Sequence, residues 1–174
     1  MEEQGIVNRV TNSPIITFDL ANYYHQGERI VYDLAQNLYQ GLILREKDFR
    51  EFVKTHDWSV YEGKNVALIC SEDAIVPTWA YMLLTTKLEP YANLTVYGDL
   101  QLLEYALFKE ALSEIDPASF ENRPVVIKGC GDIPVPASAY VEITRLIRPY
   151  AKSIMYGEPC STVPLYKKPR QPKN

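Results

Sequence analysis

When the chain is shifted against itself by 59 residues, Ile43–Asp99 overlies Leu102–Glu158 without a gap, and 17 of the 57 positions are identical. Ordinary composition would give roughly 6% identity, about three or four matches. A chain that uses one unit twice must build two similar substructures, and this constrains the fold more than any other feature. The clearest stretches set VPTWAY (Val76–Tyr81) over VPASAY (Val135–Tyr140), and EPYANLTVYGD over RPYAKSIMYGE.

Each copy carries the same punctuation. A helical segment, DFREFVKTHD or LFKEALSEID, leads into a short apolar run, KNVALIC or RPVVIKGC, whose length and branched residues predict a buried strand. After a loop, Pro77 or Pro136 opens a helix, where a missing backbone N–H costs least. That helix stops at Pro90-Tyr91 or Pro149-Tyr150, and a second strand follows, LTVYG or SIMYG. Strands alternating with helices of this length predict an α/β fold. We expect one open, mainly parallel sheet with helices on both faces, connected by right-handed crossovers. Strand order 2-1-3-4 would put the first strands of the two copies side by side at the centre. In residues 1–42, IITFDL and GERIVYDL read as two further strands, a hairpin at the sheet edge.

The length, 174 residues, suits one domain, here residues 1–166, followed by a basic flexible tail at 167–174. The net charge is −4, but Lys167, Lys168, Arg170 and Lys173 sit in that tail, leaving −8 on residues 1–166. An acidic body argues against nucleic acid as a partner. There is no apolar run of membrane-spanning length, and the start MEEQGIVNRV lacks the pattern of a secretory signal. The expected location is therefore the cytoplasm, with no membrane partner.

Cys70, Cys130 and Cys160 are odd in number and fit neither a disulfide framework nor CxxC spacing. On the predicted sheet, however, all three fall at the carboxyl ends of strands, where open α/β sheets bind ligands. Asp73 and Asp132 occupy matched loops, and Glu158 follows a second strand, so acids gather at the same edge. Three thiolates with a fourth ligand from Asp73, Asp132, Glu158 or water would suit zinc, iron or an iron–sulfur cluster. Packing as small apolar side chains is the plainer role for free cysteines. A third role is a single nucleophile, best placed at Cys130, where Gly129 and Gly131 leave room for a substrate. The chain has only two histidines, and His56, at a helix end, is matched by Ile115, so a Cys–His pair is poorly supported. The matched pairs Tyr81/Tyr140, Tyr91/Tyr150 and Tyr97/Tyr156 read as core residues with solvated hydroxyls. Neither a P-loop nor GxGxxG occurs. The segment from Val163 onward, VPLYKKPRQPKN, reads as a frayed end or as a strap that docks on a neighbour.

The segments LILREKDFREFVKTHDW, ICSEDAIVPTWAYMLL, VVIKGC and SIMYGEPCSTVPLYK resemble a bacterial family known as domain of unknown function 2480. The resemblance covers nearly the whole chain and includes the three cysteine-containing stretches. It implies no established activity. Similar proteins tend to be encoded near iron–sulfur assembly functions, which implies iron–sulfur assembly proteins as partners. The leading expectation is an accessory protein that holds a metal or iron–sulfur species through Cys70, Cys130 and Cys160. The alternatives are an enzyme acting on a small anionic substrate through a reactive cysteine, and a non-catalytic interaction module. Pairing of exposed edge strands would make a homodimer.

Overall fold

The structure, a computed structural model, describes residues 15–129, 131–158 and 160–169. Its elements in chain order are β1 (Ile16–Asp19), β2 (Arg29–Asp33), α1 (Glu46–Thr55), β3 (Asn65–Ile69), α2 (Thr78–Leu88), β4 (Leu94–Tyr97), α3 (Leu100–Ser113), β5 (Pro124–Lys128), α4 (Ala137–Ile147), β6 (Ser153–Glu158) and β7 (Ser161–Lys167). Four short 3₁₀ turns lie between them. This is the expected α/β alternation, and every strand pair is parallel except β6–β7.

The chain divides into two compact units: unit 1, Met1–Tyr24 with Phe108–Asn174, and unit 2, His25–Leu107. Unit 2 holds a three-stranded sheet of order β2-β3-β4, with Ile30 opposite Val66 and Val66 opposite Thr95. Alternation along β3 sends Val66 and Leu68 to one face and Ala67 to the other. Val66 and Leu68 pack with Phe49 and Val53 of α1 and with Ala80, Leu84 and Leu88 of α2. Ala67 packs with Leu103 and Leu107 of α3. Helices therefore cover both faces of this sheet. Full burial of a side chain such as Leu84 is worth about 1.5–3 kcal/mol.

Unit 1 holds a four-stranded sheet of order β1-β5-β6-β7, with Ile16 opposite Val125 and Val125 opposite Ile154. Phe18, Val125, Ile127 and Ile154 form its core with Phe108 and Leu112 of α3 and with Ile143 and Ile147 of α4. Local geometry recurs at positions 59 apart. Asp57 and Asp116 accept from the N–H groups of Ser59 and Ala118 at 3.0 and 2.9 Å, capping the turns before β3 and β5. Gly63 and Asn122 then take the left-handed conformation, φ 67° and 55°, and donate to the carbonyls of Tyr91 and Tyr150. Glycine or asparagine is what such a φ favours.

Three expectations are corrected. The first strands of the two copies, β3 and β5, do not pair at the centre of one sheet but belong to different sheets. The cause is the N-terminal third, where β2 takes the position beside β3 and β1 the position beside β5. For the same reason IITFDL and GERIVYDL form no hairpin; each is the parallel partner of a different strand. Finally, Val163 to Lys167 are not frayed but belong to β7, antiparallel to β6 with Ile154 opposite Tyr166. Arg148, at the end of α4, lies 4.9 Å from the centre of the Tyr166 ring, a cation–π contact that seats the strand. Residues 170–174, the rest of the expected tail, lie outside the described residues.

Candidate functional site

The carboxyl ends of parallel strands are where α/β sheets present ligand sites. In unit 2, β2 ends on Asp33, whose Oδ1 accepts from the N–H groups of Ala35 at 2.9 Å and Ser71 at 3.0 Å. The first bond caps the 3₁₀ turn Leu34–Asn37. The second ties the end of β2 to the loop leaving β3. Burial pushes the Asp33 carboxyl up, but hydrogen bonds from the Ser71 side chain and from the Ala35 and Ser71 backbone outweigh it and hold the group below the usual carboxylate range.

Cys70 directly follows β3 and is half-buried, its Sγ donating a long, weak bond of 3.5 Å to the Glu72 carbonyl. Tyr81 of α2 faces it. Burial first, then the neighbouring Tyr97, Cys70 and Asp33, push the Tyr81 phenol up and keep it protonated. Its ring meets that of Tyr97 edge-on, centroids 5.0 Å apart. Between α2, the β3–α2 loop and the ends of β3 and β4 lies a crevice of about 550 Å³. Leu68, Val76 and Met82 supply apolar walls, Thr78, Thr85 and Thr95 supply hydroxyls, and no lining side chain is charged. The Thr85 hydroxyl donates to the Tyr81 carbonyl within α2. The Thr95 Oγ1 is shielded from solvent and has no hydrogen-bond partner among the described residues. Such an orphaned hydroxyl costs about 1–3 kcal/mol unless something pairs with it.

Unit 1 ends differently. Lys128 closes β5, and its Nζ lies 3.2 Å from Asp19 Oδ2 and 3.6 Å from Glu158 Oε1. The hydrogen bond to Asp19, then the charges of Asp19 and Glu158, hold the ammonium above its ordinary range. Gly129 takes the position of Cys70, and a Cβ there would overlap the Tyr140 hydroxyl. The Tyr140 and Tyr156 rings repeat the edge-on contact at 5.8 Å.

The residues singled out from the sequence are thus distributed over two sheets. Cys70 and exposed Asp73 lie on the loop after β3 in unit 2. Exposed Asp132 lies between β5 and α4, and Glu158 and exposed Cys160 at the β6–β7 turn, all in unit 1. Cys130 lies outside the described residues. Among the described residues no group of three or more His, Cys, Asp or Glu is arranged to hold a metal ion, and no observation favours zinc, iron or an iron–sulfur cluster. His56 lies among Phe52, Trp58 and Tyr61 in tilted and edge-on ring contacts, and its Nε2 is buried with no hydrogen-bond partner among the described residues.

Asp33 and Thr95 escaped the sequence reading. A signal for Asp33 exists: Phe18-Asp19-Leu20-Ala21 and Tyr32-Asp33-Leu34-Ala35 are one motif written twice, 14 residues apart. For Thr95 the signal is a mismatch within the repeat, since its counterpart is Ile154.

Fold and site define a mostly parallel α/β protein with an uncharged, hydroxyl-bearing crevice at the carboxyl edge of one sheet. The chain belongs to the family described as "Protein of unknown function (DUF2480)", whose model matches residues 4–168. No curated protein and no solved structure matches it. Among the described residues no helix is long and apolar enough to cross a membrane.

Proposed function

We propose that unit 2 binds a small, uncharged, partly aromatic molecule in the crevice between α2 and β4. The observation that carries this reading is Thr95, which lines the crevice and whose hydroxyl has no hydrogen-bond partner among the described residues. Crevices of this size suit small molecules, with a few polar groups fixing the orientation of an otherwise apolar body. The two tyrosine rings offer edges and faces for a planar group. The absence of charge in the lining disfavours an ionised ligand, because nothing there would offset its desolvation. Asp33 and the Cys70 thiol flank the rim on the β2 side without lining the crevice.

The test is a thermal-shift and ligand-detected NMR survey with neutral planar probes such as benzamide, adenine and uracil. It is run on the native chain and on Thr95→Ile, which installs the residue found at the matched position of unit 1. We expect at least one probe to raise the unfolding midpoint of the native chain and to lose that effect in Thr95→Ile. A native chain that binds none of them, or binding indifferent to Thr95→Ile, overturns the reading.

A further inference from the structure

A strand at the edge of a sheet exposes unpaired N–H and C=O groups, and folded proteins guard such edges with charges, proline, bulges or a covering segment. The two sheets have four edge strands among the described residues: β1, β2, β4 and β7. Three carry a guard. β1 ends on Asp19, β2 has Arg29 and Asp33 at its ends, and β7 contains Pro164 and Lys167. β4, Leu94-Thr95-Val96-Tyr97, has no charge and no proline, and pairs in register with β3 alone. Its matched strand in unit 1, β6, has the corresponding edge covered by β7. Large apolar side chains stand exposed beside the β4 edge: Tyr97 is 68% exposed, and Leu102, which lies against Gly98 at the end of the strand, is 51% exposed.

We propose that β4 is the pairing edge for a second copy of this chain, joining two three-stranded sheets into one of six strands. The partner is a like copy because the edge is self-complementary. Antiparallel pairing about a two-fold axis at Val96 sets Val96 opposite the partner's Val96 and Tyr97 opposite the partner's Thr95. That register keeps every side chain on its proper face: Leu94 and Val96 on the side packed by Leu103, Thr95 and Tyr97 on the crevice side. A slip by one residue would reverse the faces. The first ionised group beyond the strand, Asp99, falls opposite the partner's Asn93, an amide, so no like charges meet. A two-fold contact of this kind closes on itself and yields a dimer rather than a fibre. The inference rests on the edge and does not depend on what the crevice binds.

Sedimentation equilibrium of the full chain tests it together with two variants. The native chain is expected to sediment as a dimer. Tyr97→Lys, at a largely exposed position, places a cation on the edge and should raise the dissociation constant about tenfold or more while the circular dichroism stays native. Val96→Cys, with Cys70, Cys130 and Cys160 replaced by serine, should form a disulfide-linked dimer on mild oxidation, since directly opposed strand residues lie within disulfide reach. A monomeric native chain overturns the proposal. So does a dimer that tolerates Tyr97→Lys and fails to cross-link through Val96→Cys, because its interface would lie elsewhere.

Discussion

Units 1 and 2 use matched sequences to build the same β-α-β frame, yet they finish their strands with different chemistry. In unit 1, Lys128 at the end of β5 bridges Asp19 and Glu158, Gly129 lets the Tyr140 hydroxyl settle against the backbone, and β7 covers the outer edge. In unit 2 the matched residues are Ile69 and Cys70, Asp33 is satisfied by backbone N–H groups instead of a lysine, and no strand among the described residues pairs with the outer edge of β4. Unit 1 places a lysine bridge at its strand ends, an added strand along the lateral edge of β6, and Arg145 and Arg148 beside the cavity of about 510 Å³ at Tyr140, Val141 and Thr144. Unit 2 keeps an uncharged crevice at the matched Tyr81, Met82 and Thr85. The two frames agree in local geometry at positions 59 apart and differ in the residues at their strand ends.

The shared frame is the part most easily broken. Leu84 and Ile143 occupy matched, fully buried positions on α2 and α4. Leu84→Ala and Ile143→Ala should each cost about 2–5 kcal/mol, measured by urea unfolding. Both tryptophans, Trp58 and Trp79, lie in unit 2. Fluorescence therefore reports Leu84→Ala directly, and far-ultraviolet circular dichroism is needed alongside it for Ile143→Ala. A cost below about 1 kcal/mol at either position would mean that the two cores are not packed alike.

Exchanging the residues that differ sharpens the contrast. Gly129→Ala in unit 1 drives a methyl group into the Tyr140 hydroxyl and should cost about 1–3 kcal/mol. Cys70→Ala in unit 2 removes only a half-buried thiol with one weak hydrogen bond and should cost less than about 1 kcal/mol. If the two changes proved equal, Cys70 would be held by more than packing.

The frame was legible in the sequence because it rests on local signals: proline before α2 and α4, apolar runs at β3 and β5, and turn residues at matched positions. The distribution of strands over two sheets was not. It depends on which neighbour β3 and β5 acquire, and those neighbours come from Tyr32-Asp33-Leu34 and Phe18-Asp19-Leu20, a second and much shorter repeat whose spacing of 14 differs from 59. Placing both first strands in one sheet put Cys70 and Cys160 on one sheet edge, whereas β3 and β6, the strands they follow, belong to different sheets. The crevice was hidden for the opposite reason. Its distinguishing hydroxyl, Thr95, stands where the repeat has Ile154, and a repeat draws the eye to the positions that match.

Asp19 and Asp33 offer a finer comparison, since each accepts from the N–H two residues on and caps a 3₁₀ turn. Asp33→Ala should cost about 1 kcal/mol near neutral pH. Because the folded structure holds the Asp33 carboxyl below its ordinary range, the ionised group stabilises the fold above the unfolded value of about 3.9, and the benefit is lost as pH falls through the lower folded value. The stability gap between the native chain and Asp33→Ala should therefore be full at pH 7 and narrow in acid. Asp19→Ala removes the matching cap together with the Lys128 contact, so its gap should also shrink with added salt, whereas that of Asp33→Ala should not. Equal salt responses would remove the distinction between a lysine-closed and a backbone-closed edge.

The smallest expected effect is the most informative about the crevice. In unit 1, Ile154 is fully buried against the α4 side of its sheet; in unit 2 the matched Thr95 presents a hydroxyl with no partner among the described residues. A threonine at that place gives up stability, because its hydroxyl is desolvated without compensation. Thr95→Val keeps the shape and removes the hydroxyl, so it should leave the stability of the empty protein unchanged or raise it by up to about 1 kcal/mol, read as a shift in the urea midpoint at constant m-value. If Thr95→Val instead costs more than about 1 kcal/mol, the hydroxyl already has a partner inside unit 2 and is not free to pair with a ligand in the crevice. A neutral or stabilising result together with loss of probe binding would identify Thr95 as a residue whose cost is offset only when the crevice is filled.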